Sequence, residues 1–152
     1  MEIRQHDGDR AALRPLFREA DDSERAIDGY LDRGHVLVAV QDGRIVGHGQ
    51  LVLAGTAFAE LKSMAVVEER RGAGIGRALV DAIAALARNQ AVHRLLVATA
   101  AADTGNLRFY QRQGFRLLRI ERDAFGPETG YPKGLMLDGI PLRDRVWLDQ
   151  DL

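Results

Sequence analysis

The run Arg71-Gly72-Ala73-Gly74-Ile75-Gly76-Arg77 is where residue types and spacing point most directly to chemistry. It follows a strand-like stretch and opens a helix-like one. Several backbone N–H groups and the positive end of a helix dipole therefore converge at one point, a natural seat for an anion. Glycine at 72, 74 and 76 lets phosphates approach the backbone and permits a positive φ, and Arg71 and Arg77 add mobile positive charge. Two other glycine-loop chemistries fail by spelling. A P-loop needs Gly-Lys followed by Ser or Thr, whereas Gly76 is followed by Arg77 and Ala78. A dinucleotide fingerprint needs a third glycine where Arg77 stands, after the first strand of its unit. A pyrophosphate site and a plain glycine-rich connection remain.

The elements that must position this loop read as an alternation of strands and helices, an α/β arrangement. Ile3 marks a short first strand. Asp9 caps a helix predicted to run through about Ala20, with Leu13, Leu16, Phe17 and Ala20 at helical spacing. Ser23 with Ala26, Ile27, Tyr30 and Leu31 repeats the pattern. His35–Val40 and Arg44–Leu53 flank Gln41-Asp42-Gly43, and the Asp-Gly pair signals a hairpin. A strand from about Phe58 to Val66 leads into the glycine loop, and Ile75, Ala78, Leu79, Ala82, Ile83 and Leu86 make the apolar stripe of the helix beyond it. Arg94–Ala98 reads as a buried strand, Thr104–Gln113 as a helix closed by Gly114, and Phe115–Arg122 and Arg145–Leu148 as the last strands.

The chain has 152 residues, no cysteine and a formal net charge of -1. This predicts one domain spanning residues 1–152 with its own core. Disulfides, thiolate metal sites and thiol nucleophiles are excluded, and the charge gives no general attraction for nucleic acid or anionic lipid. The polar start, Met1 to Arg10, and the lack of an apolar run long enough to span a bilayer predict a cytoplasmic protein without a membrane role. His6, His35, His48 and His93 are scattered, with no metal-site spacing.

The segment from Met64 to Leu79, Met-Ala-Val-Val-Glu-Glu-Arg-Arg-Gly-Ala-Gly-Ile-Gly-Arg-Ala-Leu, resembles the acetyl-CoA signature of the GNAT superfamily of N-acetyltransferases, with Arg71, Gly74 and Gly76 at its defining positions. A second block of that family, a helix ending in Tyr and closed by Gly-Phe, is matched by Phe109-Tyr110-Gln111-Arg112-Gln113-Gly114-Phe115. The similarity covers about residues 2–120, and Asp138 to Val146 is similar to one bacterial branch of the family.

The resemblance implies a mostly antiparallel mixed sheet of six to seven strands, splayed between the fourth and fifth, with about four helices. It implies acetyl-CoA as co-substrate, no metal, and direct attack of an amine on the thioester. The acceptor would be a small-molecule amine, a peptide N-terminus or a lysine, and a homodimer is compatible. Met64, Ala65 and Val66 would lend backbone groups to the pantetheine and the carbonyl oxygen, while Arg71, Gly72, Ala73, Gly74, Ile75, Gly76 and Arg77 would hold the pyrophosphate. Tyr110 matches the tyrosine near the sulfur, suited to protonate the thiolate, with aromatic packing as its other reading. Glu60 is the candidate base. Residues 60, 62, 64 and 66 alternate onto one strand face, which aims Glu60 and Met64 at one cleft; alternatively, Glu60 pairs with Lys62. Asp103 stands where many members have a pantetheine-contacting asparagine. Either Asp103 makes that contact or Asn106, three residues later, supplies the amide; the other reading of Asp103 is a helix N-cap.

Asp21, Asp22 and Glu24, with Glu121 and Asp123, would suit a cationic acceptor or be plain surface charge. Trp147 and Tyr131 read as core, pocket or dimer contact. A non-catalytic acyl-CoA sensor and a transferase for longer acyl donors are the competing functions.

Overall fold

The computed structural model describes residues 1–152. In chain order it contains β1 (Glu2–Gln5), α1 (Arg14–Ala20), α2 (Glu24–Tyr30), β2 (His35–Gln41), β3 (Arg44–Ala54), β4 (Phe58–Val66), α3 (Ile75–Asn89), β5 (Arg94–Ala100), α4 (Thr104–Arg112), β6 (Arg116–Glu121), β7 (Met136–Leu137), β8 (Ile140–Pro141) and β9 (Arg145–Asp151). The main sheet has the order β1-β2-β3-β4-β5-β9-β6, and only the β4–β5 pair is parallel. The expected mixed, mostly antiparallel sheet with four helices is present.

The β2–β3 hairpin turns at Asp42 and Gly43, both at positive φ, as the Asp-Gly pair predicts. Ser23 caps α2, its Oγ accepting from the Ala26 N–H at 3.1 Å. Two expectations are corrected. The helix from Asp9 is two pieces: Asp9 caps a single 3-10 turn over Arg10–Leu13, and α1 restarts at Arg14 with Pro15 in its first turn, where a missing N–H costs nothing. The buried stripe of α3 is Ile75, Leu79, Val80, Ile83, Ala84 and Ala87, rotated from the predicted one, so that Ala78, Ala82 and Leu86 are half-buried.

Helices cover both faces of the sheet. Leu13, Phe17, Ile27, Tyr30, Leu31, Val36 and Val38 fill the space under α1 and α2. On the other face α3 and α4 pack with Leu51, Leu61, Ile83, Leu95, Val97, Tyr110, Phe115 and Leu148. Leu79 and Ile83 are fully buried, each contributing about 2 kcal/mol by burial. Their close approach depends on β3. A Cβ at Gly47 would lie 3.2 Å from Leu79 Cδ1, and one at Gly49 3.2 Å from Ile83 Cγ1. The alternate β3 residues His48 and Gln50 point to the opposite face. There the His48 ring lies 4.4 Å from that of Phe17, and Gln50 Nε2 donates to the Tyr30 carbonyl at 2.7 Å.

What prepares the site is where strand pairing stops. β4 and β5 pair only from Phe58/Arg94 to Leu61/Val97, although β4 runs on to Val66 and β5 to Ala100. The two strands splay apart over these last residues, the V-shaped opening the resemblance implies. At the same point β4 carries a bulge: Leu61 pairs with Leu51 and Ser63 with the adjacent Gln50, leaving Lys62 as the extra residue.

Candidate active site

The splay opens into a cleft of about 900 Å³. Its floor on one side is the start of α3. Gly74 is the N-cap in the left-handed region at φ +86°, with no side chain capping the helix, so the first N–H groups of α3 have no partner within the helix. Gly72 is also left-handed, at φ +78°, and a Cβ at either glycine would meet nothing within 4 Å. These positions require glycine for conformation and leave open space above the exposed amides. Gly76 is small for another reason: a Cβ there would press 3.2 Å from the Phe109 ring of α4. Arg77 makes no ion pair, but Arg71 is not mobile as expected. Its Nε donates to the Val66 carbonyl at 2.9 Å and its Nη2 to Glu19 Oε2 at 3.2 Å, tying the loop to α1.

From the α4 side come Tyr110 and Asn106. The Tyr110 ring sits edge-on between Phe109 and Phe115, at 5.1 and 5.7 Å between centroids, while its residue lines the cleft and its hydroxyl has no partner in the chain. The packing reading of this tyrosine is present in its ring, and the same residue borders the cleft. Burial, then the charge of Asp103, push the phenol above its ordinary value, so the proton stays on at neutral pH. Asp103 is the N-cap of α4, accepting from the Asn106 N–H at 2.9 Å. Asn106 faces the cleft with its Nδ2 donating to Thr99 Oγ1 of β5 at 3.2 Å. Met64, Ala65 and Val66 line the opening along β4. Of the residues expected to hold the cofactor or do the chemistry, Ala73 alone lies off the cleft wall.

The bulge overturns the simple alternation along β4. Glu60 pairs with Val52 and Met64 with Gly49, and residues an odd number apart on β3 point to opposite faces. Glu60 and Met64 thus stand on opposite faces of the sheet and reach the same cleft only because it passes through the splay. Glu60 lies 3.9 Å from Lys62 through Oε2, with 16% of its side chain exposed. Burial raises its carboxyl above the ordinary range, opposed by the charges of Lys62, Arg145 and Arg33. Lys62 lies over the Tyr30 ring at 5.0 Å.

The other end of the cleft is an assembly the sequence does not announce. Asp21 Oδ2 accepts from Tyr30 O–H at 2.8 Å and its Oδ1 from Tyr131 O–H at 2.7 Å. The long excursion between β6 and β9 is thereby fastened to the α1–α2 turn. Tyr131 and Trp147 are cleft residues as well as packing ones, and Asp22 joins the wall, its carboxyl raised by burial and then by Asp21. Glu24 is surface charge, paired with Arg14 and Arg18. Glu121 is held by Arg145 and the Trp147 N–H, and Asp123 by Arg143. No group of three or more His, Asp or Glu lies close enough to hold a metal ion, and no helix is long and apolar enough to cross a membrane.

Residues 5–115 match the model of the acetyltransferase (GNAT) family. The uncharacterized N-acetyltransferase YvbK of Bacillus subtilis is 29% identical over 140 residues, 92% of this chain and 89% of that protein. A GNAT family acetyltransferase from Elizabethkingia anophelis, solved with acetyl-CoA bound, superposes with a TM-score of 0.92 at 30% identity, over 99% of this chain and 97% of that one. A Bacillus subtilis acetyltransferase in complex with CoA gives a TM-score of 0.90 at 28% identity, over 99% and 98%. With the family match spanning most of the sequence, and the uncapped glycine turn, splayed strands and tyrosine in place, this chain belongs to the acetyltransferase (GNAT) family.

Proposed function

We propose that the chain transfers an acetyl group from acetyl-CoA to a primary amine by direct attack on the thioester. The observation that carries this is the cleft itself: uncapped helix amides at the α3 start, β4 backbone left without a partner on its β5 side, and Tyr110 all border one volume. The amides of Ile75, Gly76 and Arg77 suit a pyrophosphate, with room above Gly72 and Gly74 for it to approach. Backbone from Met64 to Val66, paired with β3 on one side and with no strand on the other, suits the pantetheine amides, and Asn106 offers a further polar contact. When bound, acetyl-CoA supplies the activated acyl group; the protein supplies position and proton handling.

An alkylammonium must lose a proton before it attacks. Glu60 is suited to accept it, since burial lifts its carboxyl toward working pH while the nearby cations keep it ionisable. Tyr110 is better suited to hydrogen-bond the departing sulfur than to surrender its proton, because its raised value makes full transfer to an ordinary thiolate uphill. The acceptor is a small-molecule amine, a peptide terminus or a lysine. The proposed setting is the cytoplasm, and the apolar outer strand β6, with Leu117, Leu118 and Ile120 exposed, suits contact with a second copy.

A thermal-shift titration of the purified protein with acetyl-CoA, coenzyme A, NAD and ATP is the test. A rise with the two coenzyme A species alone supports the site, and no rise with them overturns it. Thiol release with a panel of amines and acyl donors then separates transfer from sensing and fixes the acyl length.

A further inference from the structure

The chain contains nineteen arginines but two lysines, Lys62 and Lys133. One of the two stands inside the cleft, and three features of the fold put it there. Lys62 is the extra residue of the β4 bulge, placed where β4 stops pairing with β5, so its backbone is released from the ladder on both sides. Two positions along the strand from Glu60, its side chain lies on the Glu60 face, and its ammonium lies 3.9 Å from Glu60 Oε2 and 5.0 Å from the centre of the Tyr30 ring. A carboxylate and an aromatic face are the two groups that would receive the ammonium of an incoming acceptor. The residues that line the opening for the thioester, Met64 and Ala65, follow two and three positions along the same strand, about 7 to 10 Å at strand rise. The flexible four-carbon stem of a lysine shortens that gap.

We propose that Lys62 is itself an acceptor, and that the protein acetylates it within its own cleft when no external amine is present. The inference rests on the transferase reading of the same site. One proton of the Lys62 ammonium passes to Glu60. The free Nζ attacks the acetyl carbonyl carbon, an N–C bond forms and the C–S bond breaks. The second nitrogen proton goes to the departing sulfur, so that the products are acetyl-lysine, coenzyme A and one proton released to solvent through Glu60. The modification removes a positive charge, leaves Arg145 and Arg33 as the cations that compensate Glu60, and fills the acceptor end of the cleft. Self-acetylation therefore slows transfer to other amines.

The whole chain incubated with acetyl-CoA alone, followed by intact mass and peptide mapping, tests this. Lys133 and the Met1 amine, both exposed, serve as internal controls for uncatalysed acetylation. Lys62 is expected to gain one acetyl group at least about tenfold faster than either control, as proximity predicts, with a rate constant independent of protein concentration. Equal rates at the three amines, or a rate constant that grows with protein concentration, would overturn the proposal, as would an unmodified Lys62 in a protein that binds acetyl-CoA and acetylates other amines; in that last case the transferase reading stands. If acetyl-CoA gives no thermal shift, both fall together. Lys62→Arg, which keeps the charge and cannot form the amide, is expected to hold its transfer rate constant through preincubation with acetyl-CoA while the wild-type rate declines.

Discussion

The two ends of the cleft are built by different means. The end at α3 is made of backbone: seven consecutive residues, three of them glycine, present amides and space, and few side chains contribute. The end under α1 and α2 is made of side chains gathered from across the chain, with Asp21 joined to Tyr131 over a separation of 110 residues. A ligand common to a whole family can be held by main-chain groups that any sequence possesses, provided glycine permits the conformation. Recognition of one acceptor has to come from side chains, and these tolerate long separations because the sheet sets their positions. The first end should therefore fail through backbone conformation, the second through titration and hydrogen bonding.

The largest expected effect lies beneath the side-chain end. His48 is buried between Phe17 and Ser63, and burial pushes its imidazole down to about 3 from an ordinary 6.5. The native state keeps the ring neutral while the unfolded chain protonates it. The stability it contributes is complete above pH 6.5 and lost as pH falls toward 3, to at most about 5 kcal/mol. Urea unfolding at neutral and acid pH should show this loss, and His48→Gln should flatten it. An acid profile unaltered by the variant would remove His48 from the account.

Next is the proposed proton acceptor. Glu60→Gln should lower kcat by about a thousandfold, within the usual range for a general base, and spare acetyl-CoA affinity. In the wild type kcat/KM should fall as pH drops through the Glu60 value, which lies above that of an ordinary carboxylate. That limb should vanish in the variant, and its survival would assign the base elsewhere.

At the backbone end, Gly74→Val forces a β-branched residue into φ +86°, where an L side chain is strained. Acetyl-CoA affinity measured by calorimetry should fall about a hundredfold, near 2.7 kcal/mol. Unchanged affinity would mean that the left-handed turn does not shape the anion seat.

The smallest change sharpens the contrast between the ends. Tyr131→Phe deletes one hydrogen bond to Asp21, worth about 1 kcal/mol, and should raise KM for the amine about fivefold with acetyl-CoA affinity untouched. Equal losses for both substrates would break the division between them.

Much was legible in the sequence by itself because it is local. The Asp-Gly hairpin, the Asp9 and Asp103 caps, the glycine turn and the amphipathic α3 each depend on neighbours within a few residues, where propensity and periodicity act directly. Tertiary structure decided the rest. An alternation pattern cannot reveal a bulge, since the extra residue is defined only by its partner strand, and so the separation of Met64 from the face of Glu60 emerges from the β3 register. Insertion of β9 between β5 and β6 brings Trp147 and Arg145 to the cleft, and the pairing of Tyr131 with Asp21 depends on the path of the long β6–β9 excursion. Local rules specify which elements form; only packing of the whole sheet specifies which distant side chains meet, because those contacts have no counterpart in sequence spacing.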